Sequence, residues 1–190
     1  MSTMAKDFID ECFSKQCNLE ISASSIDNSV YSLVKIYEKA INSILIYSHS
    51  LREDVFESEK VIQALTSFIS TNENSNSRIL EILLKDDVGV DLLKQHALVK
   101  SVLENKSSIN SVLFYVAGAD VIKTCKSNFS IADERMYRMS KDFSGIVKMP
   151  CNDSGLMGVV NANDIKTCTH LNQVFERFKK HSRLLDVDVK

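Results

Sequence analysis

Between Ser25 and Leu51 apolar residues return at alternating spacings of four and three: Ile26, Val30, Leu33, Tyr37, Ala40, Ile44, Tyr47 and Leu51. This is the 3.5-residue period of a helix with one buried stripe. Ser24 or Ser25 is placed to cap its first amide groups, and Asp27 sets a negative charge at the positive end of the helix dipole. Val34, Ile41, Leu45 and Ser48 widen the stripe. A continuous helix over 25–51 would be about 40 Å long. Ile26, Val30, Leu33, Tyr37, Ile44 and Tyr47 then form a seam for self-association or for a partner helix, although Lys35, Glu38 and Lys39 are too few flanking charges for a strict two-stranded coiled coil.

The punctuation of the chain points the same way. It has one proline, Pro150, and five glycines in 190 residues, against roughly 10 and 13 at average usage. A sandwich or barrel draws on both residues for its tight turns. The expectation is an all-α fold: a compact bundle of about seven or eight helices in a single domain over 1–190.

The remaining segments fit that scheme. Met4–Lys15 reads as a first short helix. A third helix runs from Asp54 to Ser70, followed by an exposed polar loop at 71–77. Ser77–Lys85 and a stretch ending near Asn105 read as two further helices. Ser107–Ser127, apolar on most sides, becomes the central helix of the bundle. Ser130 with Asp133 and Glu134 opens the next, through Met136, Tyr137, Met139 and Phe143. Residues 145–162 hold Pro150 and three glycines, and are irregular or include a short strand. Asn163 caps a last helix that carries Ile165, Cys168, Leu171, Phe175 and Phe178 inward.

The net charge of −2 conceals an asymmetry. Residues 1–105 hold 10 Lys/Arg against 16 Asp/Glu, and residues 106–190 hold 13 against 9. Asp7, Asp10 and Glu11 occupy the place where a signal peptide would have its apolar core, and the longest uncharged runs are shorter than the ~20 residues of a membrane span. An intracellular protein without a transmembrane segment is expected. Its five cysteines are odd in number and irregular in spacing, as free thiols in a reducing compartment would be. Usage rich in Ile, Lys, Asn and Ser suggests an AT-rich, virus-encoded gene.

No reaction motif is present. Cys125, Cys151, Cys168 and His170 form the one set to weigh for a hydrolase or zinc protein, but Cys168 and His170 are two apart and diverge on a helix. His49, beside Ser48 and Ser50, faces away from both on a helix. Asp86, Asp87 and Asp91 lack the calcium-loop pattern and serve as helix caps. The chain has neither phosphate-binding glycine motif, so neither catalytic residues nor a cofactor or metal is expected. Two functions remain. The leading one is a non-enzymatic interaction or structural protein working through helical surfaces, with a protein partner or a second copy of itself. The alternative is an RNA- or DNA-binding protein whose patch is Lys123, Lys126, Arg135, Arg138, Arg177, Lys179, Lys180 and Arg183, with Tyr137 and Phe178 as stacking platforms.

Overall fold

The computed structural model describes residues 3–23, 25–49, 51, 54–70, 77–85, 89–118, 127–140 and 158–187. It overturns the all-α expectation. The chain builds an eight-stranded mixed sheet in the order β1-β7-β6-β5-β2-β3-β4-β8. Its elements are α1 (Thr3–Ser14), β1 (Ile21–Ala23), α2 (Ile26–Lys39), β2 (Ser43–Ser48), α3 (Asp54–Glu57), α4 (Glu59–Ser70) and β3 (Ile79–Leu84), then α5 (Val90–Gln95), α6 (Ala97–Asn105), β4 (Ser111–Ala117), β5 (Phe129–Ala132), β6 (Met136–Ser140), β7 (Gly158–Asn161), α7 (Ile165–Lys179) and β8 (Ser182–Leu185).

The strands β2, β3 and β4 run parallel, and β5, β6, β7, β1 and β8 are added antiparallel on the two sides. Strand direction explains the composition. Parallel strands are joined by crossover helices rather than tight hairpins, so a three-strand parallel centre needs little Gly or Pro. The tight hairpin between β5 and β6 puts Asp133 (φ 50) and Glu134 (φ 55) in the left-handed region. Positive φ at both central residues is the type I′ geometry that matches strand twist, reached here without glycine.

Helices cover both faces unequally. Leu33, Ile36, Tyr37, Val61, Leu65, Phe68, Val99 and Val102 of α2, α4 and α6 bury Ile44, Ile46, Leu80, Ile82, Leu84, Phe114 and Val116. On the opposite face Cys168, Leu171, Val174, Phe175 and Phe178 of α7 bury Leu45, Tyr47, Leu83, Phe129, Ile131, Tyr137 and Met139. A strand buried on both faces reads as a continuous apolar run, and the runs Ile44–Tyr47, Leu80–Leu84 and Val112–Val116 imitate helix stripes for that reason.

The continuous helix expected over 25–51 is thus a helix, a corner and a strand. Ser25 caps α2 by accepting from the Asn28 N–H at 3.2 Å, and the stripe holds through Leu33 and Tyr37. Beyond Lys39 the chain turns: the Ile41, Asn42 and Ser43 N–H groups donate to the Asp133 carboxylate at 2.7, 2.7 and 3.0 Å. Ile44 and Tyr47, three apart, then point to opposite faces of the sheet. Leu33, Tyr37 and Ile44 are buried in one cluster with Val30 packed on it, but Ile26 is 40% exposed and Tyr47 lies on the other face, so the six residues do not form one continuous seam. Three other predicted helices are corrected likewise. Ser77–Lys85 contains β3, the described part of Ser107–Ser127 is β4, and Ser130 onward is the β5–β6 hairpin. The loop at 71–77 lies outside the described residues except for Ser77, and 145–157 lies outside them too. The final part of the irregular segment is β7.

No helix among the described residues is long and apolar enough to cross a membrane.

Candidate nucleic-acid interface

Among the described residues, α7 is the helix that covers the second face of the sheet. Asp164 caps it, accepting from the Thr167 N–H at 3.0 Å, and its own N–H donates to the Arg135 carbonyl at 2.7 Å. Inward residues recur at the helical period (Cys168, Leu171, Val174, Phe175, Phe178) and are buried. The outward stripe is therefore also set by the sequence: Lys166, His170, Gln173, Arg177 and Lys180, each at least partly exposed. These positions lie within one narrow band of the helix surface, and none is a carboxylate. Arg177 and Lys179 in the last turn complement the helix dipole.

The chain then reverses at His181 into β8, which pairs antiparallel with β4 so that Arg183 lies opposite Val116. The corner is tight. The Gly118 N–H donates to the His181 carbonyl at 3.2 Å, and a Cβ at Gly118 would stand 2.8 Å from that oxygen. Glycine is required here because two backbones meet, which joins the carboxyl end of β4 to the end of α7.

The eight cations expected to form the patch divide accordingly. Arg177 and Lys180 lie exposed at the end of α7, whereas Arg183, exposed in β8 and paired with Val116, projects from the face covered by α2, α4 and α6. Lys179 is turned inward to a buried carboxylate: its Nζ reaches both oxygens of Glu81 at 3.2 and 2.9 Å and Glu176 at 2.6 Å. Burial works against the charge on Lys179, but Glu176 and Glu81 more than offset it and hold the ammonium above its ordinary pKa. Arg135 is half-buried in the β5–β6 turn, beside the opposite end of α7. Arg138 is buried on the face covered by α2, opposite Ser130 in the hairpin register. Lys123 and Lys126 lie outside the described residues. The two expected stacking platforms are internal. Phe178 is packed 5.2 Å from the Tyr47 ring, and Tyr137 is buried with its hydroxyl donating to Glu20 at 3.4 Å. Burial first, and Glu20 second, push the Tyr137 phenol far above its usual value.

Sequence reasoning missed Lys166, His170 and Gln173. The signal is available, since the inward period of α7 defines the outward one, but it appears only when cations are grouped by helical face rather than by proximity along the chain.

The remaining chemical candidates are dispersed. Cys168 and His170 lie on the inner and outer faces of α7, and no metal-holding group of three or more ligands occurs among the described residues. Cys125 and Cys151 are outside those residues. His96 accepts from the Leu98 N–H at Nδ1 (3.3 Å) and bonds the Leu51 carbonyl through Nε2 (3.0 Å), so it caps α6. Burial, followed by Asp164 and Glu134, raises the Cys168 thiol to about 12. Since only the thiolate is nucleophilic, iodoacetamide at pH 8 is expected to label Cys17, which is half-exposed, and to leave Cys168 unlabelled until the protein is denatured. Mass mapping of the labelled peptides checks this.

No family model matches the chain, and no curated protein is similar to it. Solved structures are similar in fold alone. TrmBL2, an archaeal chromatin protein with a novel mode of DNA binding, superposes with a TM-score of 0.52 at 14% identity over 95% of this chain. The chain spans 61% of that protein's length. Nuc, a phospholipase D family member from Salmonella typhimurium, gives 0.53 at 11% identity over 88% of this chain and 97% of its own. NucT from Helicobacter pylori gives 0.53 at 11% identity over 86% and 97%.

These findings correct the leading functional expectation. An assembly protein acting through helical surfaces rests on surplus apolar helix, and that surplus is strand interior. The fold is also one found in a phospholipase D family member, so it lends no support to a non-enzymatic reading. Nor is there support in these three structures, archaeal and bacterial, for a viral origin.

Proposed function

We propose that this protein binds nucleic acid through the outer face of α7. The observation that carries this reading is the outward stripe Lys166, His170, Gln173, Arg177 and Lys180, interrupted by no carboxylate. A 15-residue helix is about 22 Å long and matches roughly six base-pair steps of a duplex at 3.4 Å each.

The charge asymmetry of the sequence supports the same face. The helices α1 to α6 come from the acidic first 105 residues, and those that pack on the sheet cover the other side. Phosphate is thereby favoured on the α7 side and disfavoured opposite it. A DNA-binding protein of the same fold is a further point in favour. With Tyr137 and Phe178 buried, the contacts are to phosphate rather than to stacked bases, so affinity is expected to be independent of sequence.

The test is binding of a random-sequence duplex, followed by fluorescence anisotropy from 50 to 200 mM salt. Lys166→Gln/Arg177→Gln/Lys180→Gln is expected to weaken binding at every salt concentration. It should also lower the slope of log K against log salt by roughly 2–3, near 0.9 for each phosphate no longer neutralised. An unchanged slope in that variant, or no binding by the native chain at 50 mM salt, overturns the reading.

A further inference from the structure

The C-terminal end of α1 holds two cysteines in an arrangement that their spacing along the sequence does not announce. The helix ends at Ser14, and Gln16 takes the left-handed conformation with φ 51. The Cys17 N–H then donates to the Cys12 carbonyl at 2.9 Å. This six-to-one bond across a left-handed residue is the Schellman closure, and it brings the side chain just past the helix against the one in its last turn. In most helices two apolar side chains make that contact. Here both positions are cysteines. Both are reduced; Cys12 is buried in the core beside Ile9 and Phe13, and Cys17 packs on that cluster from its half-exposed position.

We propose that Cys12 and Cys17 form a redox-reversible pair, a disulfide site that locks the end of α1 when a low-molecular-weight disulfide is the oxidant. The roles follow from exposure. Cys17, within reach of solvent, attacks first as the thiolate: its sulfur bonds one sulfur of oxidised glutathione and expels one glutathione thiolate. Cys12 then gives up its proton, and its sulfur displaces the second glutathione from Cys17. One S–S bond forms between Cys12 and Cys17. Two protein thiols are oxidised, the glutathione disulfide is reduced to two thiols, and these take up the two protons released. Cys12 is suited to the second step only. Burial, and then the neighbouring Cys17 thiol, hold its proton on more firmly than usual, whereas the contact with Cys17 gives it the local concentration that a free thiol in solution lacks. The backbone closure already holds the two residues near each other, the first condition for a disulfide.

The experiment equilibrates the full chain, folded, with mixtures of reduced and oxidised glutathione, quenches with acid, alkylates the remaining thiols and maps the peptides. The expected result is a linked Cys12–Cys17 peptide lighter by two hydrogens, present in the oxidising mixtures and lost again in the reducing ones. In Cys17→Ser no linked peptide forms, and Cys12 stays reduced. In Cys12→Ser, Cys17 accumulates a stable glutathione adduct, because nothing displaces it. If the native chain also accumulates that adduct at Cys17, with Cys12 still available to alkylation on denaturation, the pairing is refuted. A bridge from either cysteine to a different thiol refutes it equally. Cys17→Ser changes a half-exposed position and keeps the core intact, so the comparison does not depend on how well Cys12→Ser folds.

Discussion

Replacing Asp133 by Ala is expected to lower the unfolding free energy by about 3 kcal/mol, as read from the urea midpoint at unchanged m-value. The carboxylate accepts three backbone N–H groups at 2.7–3.0 Å, from Ile41, Asn42 and Ser43. Hydrogen bonds to a charged acceptor contribute about 1.5–3 kcal/mol each; two of the three are exposed, where water takes over part of their strength, so the three together amount to about 3 kcal/mol. Ala also removes the local side chain that makes a left-handed conformation tolerable at this position. Asn keeps the shape and one accepting oxygen but not the charge, so Asp133→Asn is expected to lose about half as much. Equal losses for Ala and Asn would show that the charge on the acceptor is irrelevant. A loss below about 1 kcal/mol for Ala, less than one such bond is worth, would show that the corner between α2 and β2 is held by other contacts.

The second large effect belongs to Glu81 and Lys179. Glu81 stands on the inner β3 strand with 10% of its side chain exposed, held by Lys179 at 2.9 Å and by the Tyr115 hydroxyl at 3.3 Å. Lys179→Ala leaves that carboxylate desolvated and without its cation. A fully buried pair broken this way costs about 3–5 kcal/mol; Lys179 keeps 23% of its side chain in water, so about 2–3 kcal/mol is expected. Glu81→Leu should cost about 1 kcal/mol or less, because the ammonium retains Glu176. The double variant Glu81→Leu/Lys179→Met should return close to native stability, since an apolar pair of similar volume removes both desolvation penalties. With Lys179→Met also made as the single variant, the cycle predicts a coupling of about 2–4 kcal/mol, and additive single effects would refute the pairing. The same variant separates structure from binding. Lys179→Ala is expected to reduce stability with little change in the salt slope for duplex binding, the reverse of the Lys166, Arg177 and Lys180 triple variant.

Local signals are legible where a helix has one face in water. The boundaries of α1, the cap of α2, the span of α3 and α4, and the inward residues of α7 all follow from capping chemistry and a 3.6-residue period. The basic C-terminal residues are legible as well, though not their division: a cation's chain position says nothing about whether Glu81, nearly 100 residues away, will claim it.

What the sequence alone determined is each stretch's apolar pattern and the starts of α1 and α2; the helix expected from Asp54 is divided into α3 and α4, and the last helix is capped by Asp164 rather than Asn163. What only the tertiary structure decided is which apolar runs became strands. Ile44–Tyr47, Leu80–Leu84 and Val112–Val116 are apolar at nearly every position because helices cover both faces of the sheet, and that erases the alternation by which a strand is recognised. The turn that ends α2 is set by a carboxylate over 90 residues further along the chain, in a hairpin that exists only once β5 has paired with β2. Helix period is a property of neighbours in sequence. Burial on two sides is a property of neighbours in space, and here it decided the fold.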